Sequence, residues 1–375
     1  RGSATPRQVL VTLQFGFSIL LIIAAAVAFL QLRFLRNRDA GYDRENLMLV
    51  WTTSDIEKNY TALKTELEGS GFVESVCKSN SPITKIFSTN TLDDWPGKLP
   101  GQRIEFTTIA TEYDYTKTLG IKMLQGRDFS PEHRRDTAAV ILNQAAVDIL
   151  NLKSPIGEKV KMWEQEWEII GVTENILMGQ ASRPIDPMVM VFSPSWTSTI
   201  SVRMSKTNDM QRSLDGIGTI FKKYNPAYPF DYYFADVDFE RKFSTFNMIN
   251  KLSNIFTVLA LVITALGLFG LASFATEQRS KEISIRKVMG ATVPGIVMLI
   301  TKDFSRLVLI AFVIAAPIGW YAVSNFLDRY TVRIDMPLWV IPVAGISALL
   351  LTLAIVGTQA LKSAVANPSK ALRSE

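Results

Sequence analysis

Four long runs of apolar residues dominate the pattern along the 375-residue chain. They cover residues 9–30, 255–275, 307–327 and 338–361, and none of them contains a charged side chain. A helix that rises about 1.5 Å per residue needs about 20 such residues to cross a hydrocarbon layer of about 30 Å. Core helices of soluble proteins seldom stay uncharged over this length. The pattern therefore predicts a membrane protein with four transmembrane helices.

The first apolar run also has the length of a signal peptide or signal anchor. It lacks a small-residue cleavage site, and its polar, basic exit at residues 31–38 is typical of a retained helix. We therefore interpret residues 1–32 as the first transmembrane helix. The chain opens with Arg1-Gly-Ser instead of Met, a pattern typical of a cloning remnant or of a cut within a longer polypeptide.

Residues 33–251, between the first two apolar runs, are long enough to form a domain with its own core. Alternation of period 2 predicts strands at 46–52, 72–78, 199–204 and 230–236, and helical periodicity predicts helices at 57–68 and 209–224. These elements form two strand–helix–strand units. The segment 83–194 between them is rich in predicted strands, so we expect an α+β domain inserted between transmembrane helices 1 and 2.

The net charge of +5 matters mainly through its distribution along the chain. The short segment 277–306 carries six Lys or Arg against three acids, and the tail after residue 361 is also basic. Two crossings separate this segment from the tail, so both lie on one side, which the positive-inside bias assigns to the cytoplasm. Both termini are then cytoplasmic and residues 33–251 lie outside, although Arg33, Arg36 and Arg38 oppose the bias locally.

Few residues suggest chemistry. The single cysteine, Cys77, excludes an internal disulfide, and the single histidine, His133, argues against a multi-histidine metal site or a Ser-His-Asp triad. We found no paired catalytic carboxylates and no glycine-rich phosphate loop, so we predict a non-enzymatic protein that binds no cofactor or metal directly. The centres of the four apolar runs lack ionisable residues, which argues against a channel or an ion-coupled transporter.

Small residues at Ala265, Gly267, Gly270 and Ala272 give the second apolar run surfaces for close helix contact. We therefore predict helix packing at Gly267 and Gly270. Pro317 is expected to bend the third helix. Simple packing and a role in gating both remain open as interpretations of these residues.

A short amphipathic helix is predicted at residues 282–289 within the basic segment, and Gly290 suits its C-terminal cap. Thr292 and Pro294 then favour the start of the helix that leads to the third crossing. One interpretation is a basic loop that rests on anionic lipid headgroups. The other is a docking helix for a cytoplasmic partner, with an apolar knob and a charged rim.

The run Glu282-Ile-Ser-Ile-Arg-Lys-Val-Met-Gly-Ala-Thr292 resembles the signature of FtsX-like and MacB-like ABC transporter permeases. The tail Ala366-Asn-Pro-Ser-Lys-Ala-Leu-Arg373 resembles the closing motif of the family, notably at Asn367, Pro368, Ala371 and Leu372. Residues 115–129, 155–157 and 169–172 resemble parts of its periplasmic domain. The resemblance covers nearly the whole chain in the same order of helices and domains.

The resemblance implies a permease of the bacterial inner membrane that works by mechanotransmission. Its periplasmic domain would have a membrane-proximal part at 44–82 and 195–240 and an inserted part at 83–194, followed by an FtsX-like domain at 252–375. The partner would be a cytoplasmic ABC ATPase, a dimer that itself binds ATP and magnesium. The implied docking residues are Glu282, Ile283, Ile285, Arg286, Lys287, Val288, Gly290, Ala291 and Thr292.

The chain lacks the Gly-x-x-x-x-Gly-Lys-Ser/Thr sequence of a nucleotide-binding P-loop, so the ATPase is expected to be a separate chain. Residues 10–42 resemble the second half of eight-helix permeases common in Bacteroidetes. The other permease subunit is then either a matching first half or a second copy of this chain. Lipid and a periplasmic or outer-membrane protein are further expected contacts, and no nucleic acid is expected. A membrane-anchored sensor and a regulatory scaffold for a periplasmic partner are the alternative functions.

Overall fold

The computed structural model describes residues 6–206 and 209–365. Along the chain, the helices are α1 (Pro6–Arg36), α2 (Ser54–Gly69), α3 (Tyr115–Leu119), α4 (Gln144–Leu150), α5 (Met210–Tyr224), α6 (Ala235–Arg241), α7 (Ser244–Gln278), α8 (Ser280–Val288), α9 (Val293–Leu327) and α10 (Val340–Val365). The strands are β1 (Leu47–Trp51), β2 (Val73–Ser79), β3 (Thr89–Thr91), β4 (Glu105–Thr111), β5 (Met123–Gly126), β6 (Ala139–Asn143), β7 (Lys159–Met162), β8 (Gln165–Thr173), β9 (Met188–Phe192), β10 (Thr199–Met204) and β11 (Tyr232–Phe234).

The chain divides into a helical unit and an outer domain. The outer domain covers Asn37–Ser244, and the helical unit comprises α1 and the chain from Thr245 onward. These borders differ from the predicted 33 and 251 because α1 and α7 extend past their apolar runs with polar helical turns.

The four helices α1, α7, α9 and α10 are long and apolar enough to cross a membrane, which confirms the predicted class of membrane protein. Helix α9 begins at Val293, so the helix that leads to the third apolar run begins where Thr292 and Pro294 predicted it. Pro317 lies inside α9.

Helices α1, α9 and α10 pack together through side chains spaced four residues apart. On α10 this buried row consists mostly of small residues: Ala344, Ala348, Thr352, Val356, Ala360 and Ala364. Small residues let helix backbones approach closely, which is how helices associate where water supplies no driving force. A Cβ atom on Gly345 would lie 2.6 Å from the Phe312 ring of α9, so only glycine fits at this contact.

The outer domain contains one mixed sheet of eleven strands in the order β11-β1-β10-β2-β4-β9-β6-β8-β5, with β3 on β4 and β7 on β8. Its first lobe consists of β11, β1, β10 and β2, and helices α2 and α5 pack on one face over a core that includes Leu63, Val202 and Phe221. The second lobe consists of the remaining strands and α4, with a separate core around Phe106, Leu142 and Trp167.

The two lobes meet at a narrow seam between β2 and β4. Only Ser79 and Thr111 form a ladder pair there. The buried Asn80 side chain extends the seam, because its Nδ2 donates to the Thr108 carbonyl at 3.2 Å and its Oδ1 accepts from the Ala110 amide at 3.1 Å. The backbone amide of Asn80 also donates to the Ala110 carbonyl at 2.9 Å, so this residue joins the lobes through both its backbone and its side chain.

Most elements of the first lobe lie where the sequence pattern predicted them. Side-chain caps fix both lobe helices: Thr53 accepts from the Ile56 amide at the start of α2, and Asp209 accepts from the Arg212 amide at the start of α5. The prediction of a strand at 230–236 was partly wrong. Strand β11 ends at Phe234, and Ala235 begins α6, because Asp236 and Asp238 in the first turn favour a helix start.

We predict that Gly345→Ala destabilises the helical unit by about 1–3 kcal/mol, the usual cost of overpacking. The reason is the rigid Phe312 ring, which the new methyl group would overlap. The measurement is the thermal unfolding of the full chain in detergent. Gly357→Ala on the same helix is the matched control, since no other side chain of the described residues lies within 4 Å of its Cβ position. Equal unfolding temperatures for the two variants would contradict the predicted contact.

Candidate functional site

Helix α8 is held to the helical unit along one face. Ile283 and Ser284 are buried on this face, and the helix packs against α10. The Lys287 ammonium donates to the carbonyl oxygen of Ala364, near the end of α10, at 2.7 Å. These contacts fix the orientation of a helix that is too short to be stable alone.

The C-terminus of α8 forms a Schellman motif. The Ala291 amide donates to the Arg286 carbonyl at 2.9 Å, and the Gly290 amide donates to the Lys287 carbonyl at 3.1 Å. Gly290 has a φ of +91°, a conformation that side chains disfavour. The motif satisfies carbonyl groups that a helix end leaves open, so α8 stops sharply before α9.

The opposite face of α8 is apolar and exposed. Ile285 is 56% exposed, Val288 70% and Met289 83%. An ion pair of 2.7 Å between Glu282 and Arg286 borders this face. Since both charged side chains are about half exposed, the pair adds little stability and both groups remain accessible. The face therefore combines an apolar knob with a charged rim.

The turns on either side of α8 connect it to the neighbouring helices. Arg279, at its N-cap position, forms a 2.9 Å ion pair with Asp303 of α9. Thr292 takes the N-cap position of α9 with extended backbone, and Pro294 lies in the first turn, as predicted. Ala291 and Thr292 are exposed.

The structure places the predicted docking residues in two groups. Glu282, Ile285, Arg286 and Val288 lie on or beside the exposed face. Ile283 is buried, and the amine of Lys287 is bonded to Ala364, so both support the helix instead of presenting a contact surface. The sequence pattern could not separate these roles, because they depend on where α10 ends.

The two glycines predicted for helix packing differ in their surroundings. A Cβ atom on Gly267 would lie 3.0 Å from the Gln14 side chain of α1, so α7 and α1 are close there. A buried hydrogen bond of 2.8 Å between Ser18 and Thr264 joins the same helices. Among the described residues, no atom outside its own helix backbone and chain neighbours lies within 4 Å of the Cβ position of Gly270, so its packing role stays a prediction.

Two further predictions concern the C-terminal tail and metal binding. The tail residues Asn367, Pro368, Ala371 and Leu372 lie outside the described residues. Among residues 6–206 and 209–365, no group of three His, Cys, Asp or Glu side chains is placed to hold a metal ion.

The fold and this site define a membrane protein with one spanning helix, a large α+β domain, and three further spanning helices joined by an amphipathic segment. Two protein-family models match the chain in that order. Residues 10–221 match a model described as the MacB-like periplasmic core domain, and residues 254–368 match the FtsX-like permease C-terminal model. The first match covers more than half of the chain.

The chain therefore belongs to the MacB-like and FtsX-like permeases, the transmembrane subunits of ABC-type transporters. This confirms the family resemblance seen in the sequence. The chain is also similar to the macrolide export ATP-binding/permease protein MacB of Bdellovibrio bacteriovorus, with 26% identity over 183 residues. That match covers 44% of this chain and 28% of the relative, so the chain spans less than a third of the relative's length.

Two solved structures are similar to the outer part of the chain. The periplasmic region of MacB from Actinobacillus actinomycetemcomitans shares 15% identity at a TM-score of 0.38, covering 54% of this chain and 95% of that one. The extracellular domain of the ABC-type transporter YknZ from Gram-positive bacteria shares 16% identity at a TM-score of 0.36, covering 50% and 98%. The family assignment rests on the family models.

We predict that Gly290→Ala loosens the end of α8. A side chain in a left-handed conformation costs about 1–2 kcal/mol, so the amides of residue 290 and Ala291 should exchange with solvent about tenfold faster. Hydrogen–deuterium exchange of the full chain measures this. Gly357→Ala serves again as the control, because it adds the same methyl group without strain. Unchanged exchange at residue 291 would contradict the role of Gly290 in the motif.

Proposed function

We propose that this chain couples ATP hydrolysis by a separate cytoplasmic ABC ATPase to conformational change of the outer domain. The observation that carries the proposal is the exposed face of α8. Its apolar side chains (Ile285, Val288 and Met289) project from a helix that is fixed on its other face. Large apolar side chains within a charged rim are typical of the centre of a protein interface.

The attachments of α8 make it suitable for transmitting force. Its buried face and Lys287 connect it to α10, and the ion pair between Arg279 and Asp303 connects it to α9. A displacement of α8 by the ATPase would therefore reach two spanning helices directly. A basic loop that only rests on lipid would not need a Schellman motif or the hydrogen bond from Lys287 to the main-chain carbonyl of Ala364.

The proposed orientation places α8 and both termini in the cytoplasm and the outer domain in the periplasm of a bacterial inner membrane. The excess of Lys and Arg around α8 supports this side. ATP and magnesium would bind to the ATPase dimer. The permease chain would contribute the contact surface and the moving helices, and its outer domain would drive export or act on a periplasmic partner.

We further propose that the helical unit pairs with a second permease unit, either a matching half of an eight-helix protein or a second copy of this chain. A dimeric ATPase presents two docking surfaces, which favours two permease units. The open space beside Gly270 supports a helix contact with that second unit.

We predict that Val288→Asp weakens binding of a stand-alone ABC ATPase from the same genome at least tenfold. The substitution places a charge in the centre of the apolar knob, where a partner would have to bury it. Co-purification and titration of the two proteins in detergent measure the effect. Leu99→Asp is the control, because Leu99 is also an exposed apolar residue but belongs to the outer domain.

A double variant with Glu282→Lys and Arg286→Glu tests the charged rim separately. It keeps an ion pair within the helix but reverses both charges toward the partner. We expect weaker binding here as well. Binding that survives both Val288→Asp and this double variant would contradict the docking assignment.

The orientation is tested by labelling cysteines in whole cells or spheroplasts. We predict that Leu99→Cys reacts with a membrane-impermeant maleimide from the periplasmic side, whereas Met289→Cys reacts only after the membrane is permeabilised. The native Cys77 gives little background, because it is buried and burial raises the pKa of its thiol. The reverse pattern would overturn the proposed orientation.

A further inference from the structure

The loop between β8 and β9, residues 174–187, has a buried part at 176–178 and 181, although it contains no helix or strand. Ile176, Leu177, Met178 and Ala181 are each less than 5% exposed. A buried loop must find partners for its backbone polar groups, because water does not reach them. The partners of this loop come from two distant parts of the chain.

The first partner is Lys242. Its ammonium donates to three consecutive carbonyl oxygens, those of Leu177 at 3.1 Å, Met178 at 2.6 Å and Gly179 at 3.1 Å. An ammonium group has three donors, so this set uses all of them. Burial lowers the pKa of Lys242 to about 8, which leaves the amine mostly protonated at neutral pH. Lys242 stands two residues before α7 begins at Ser244.

The position of Lys242 is itself fixed by α6. Asp238, four residues earlier, is buried and accepts a hydrogen bond from Thr84 at 2.5 Å. It also forms an ion pair of 3.2 Å with Lys85. The segment that leads into α7 is thus attached both to the chain after β2 and to the β8–β9 loop.

The second set of partners comes from the segment that follows α1. Arg38, two residues after α1 ends, donates to the carbonyl oxygens of Ala181 and of Arg183, the latter at 3.0 Å. The Leu177 amide donates to the Ala40 carbonyl at 2.9 Å. At Gly41 the two backbones touch: a Cβ there would lie 1.9 Å from the Asn175 carbonyl oxygen, and φ is +72°.

The other side of the loop is connected to the second lobe. The Asn175 side chain accepts from the Ala145 amide in the first turn of α4 at 2.7 Å. Asn143, at the end of β6, donates to the Asp186 carbonyl at 2.9 Å. The loop also continues directly into β8 and β9, which both pair with β6.

We propose that Lys242 and Arg38 are positioning residues that fasten the β8–β9 loop to the segments after α1 and before α7, so that the loop passes displacements of these helices to the second lobe. This inference rests on the proposed function. It assigns the transmission of movement to one loop, in addition to other contacts between the lobes such as the hydrogen bond from Tyr60 to Glu112 and the ion pair between Lys64 and Asp114.

The first experiment examines the loop without any partner, by hydrogen–deuterium exchange of the full chain in lipid nanodiscs. Lys242→Met keeps the aliphatic stem and removes the three hydrogen bonds. We expect the amides of Leu177 and Met178 to exchange at least tenfold faster. Arg38→Gln, a second variant, should loosen residues 181–183. Lys222→Met, which changes an exposed lysine on α5, should alter neither region.

The second experiment uses the complex with the ABC ATPase and compares the nucleotide-free state with a vanadate-trapped state. We expect the wild-type complex to show a nucleotide-dependent change in exchange across residues 139–150, in β6 and α4. In Lys242→Met this response should fall at least fivefold, while the ATPase still co-purifies. Val288→Asp should lose the response together with ATPase binding.

The outcomes separate the two proposals. Unchanged loop exchange in both Lys242→Met and Arg38→Gln would overturn the fastening, whatever the ATPase does. A loosened loop with a full nucleotide response would overturn its role in transmission. A wild-type complex that binds the ATPase through α8 but shows no response in residues 139–150 would count against transmission to the second lobe, and absent ATPase binding would count against the proposed function.

Discussion

The outer domain depends on the antiparallel pairing of β2 with β10, two strands that lie far apart in the sequence. Their ladder runs from Ser79 opposite Thr199 to Val73 opposite Met204, and β1 and β11 add to its other edge. Since Met48 of β1 pairs with Phe234 of β11, the chain enters and leaves the domain on neighbouring strands. That arrangement brings the segment after α1 and the segment before α7 to the same β8–β9 loop. The second lobe is attached to this framework through the short seam at Thr111, through the fastened loop, and through contacts of α2 with the chain after β4, such as the ion pair between Lys64 and Asp114.

The buried contacts of the helical unit are largely apolar among the described residues. Its spanning helices carry no charge in their apolar runs, and their buried contacts are mostly between small or aliphatic side chains. Within the described helices, a buried hydrogen bond between Ser18 and Thr264 joins α1 to α7. A charge at the bilayer centre is costly and is retained mainly where ions or polar substrates pass. Under the proposed function, these helices would transmit movement between their two ends.

Sequence periodicity was sufficient to predict the spanning helices and the first lobe. The reason is that an uncharged run or an alternating strand directly reflects which of its side chains face an apolar environment. Amphipathic periodicity likewise predicted α8, and Gly290 was predicted as its C-terminal cap. Roles that depend on distant neighbours could not be predicted. From the sequence alone, Lys287 resembles any surface charge, and its role depends on the Ala364 carbonyl that α10 places beside it. Lys242 likewise resembles any lysine close to a membrane, and its role depends on the carbonyl groups of the β8–β9 loop. The end of β11 was misplaced for a local reason, since an aromatic strand pattern continues into residues that start a helix.

The pairing of β2 with β10 also has a consequence for the synthesis of the protein. At a typical 5–20 residues per second, about ten seconds separate the appearance of Ser79 from that of its partner Thr199. During this interval β1 and β2 have unpaired edges, which are sites of aggregation. The second lobe has all of its strands once Phe192 is made, so it can form its core first. Strands β1 and β2 are therefore made first but are the last strands of the domain to be protected from aggregation and proteolysis.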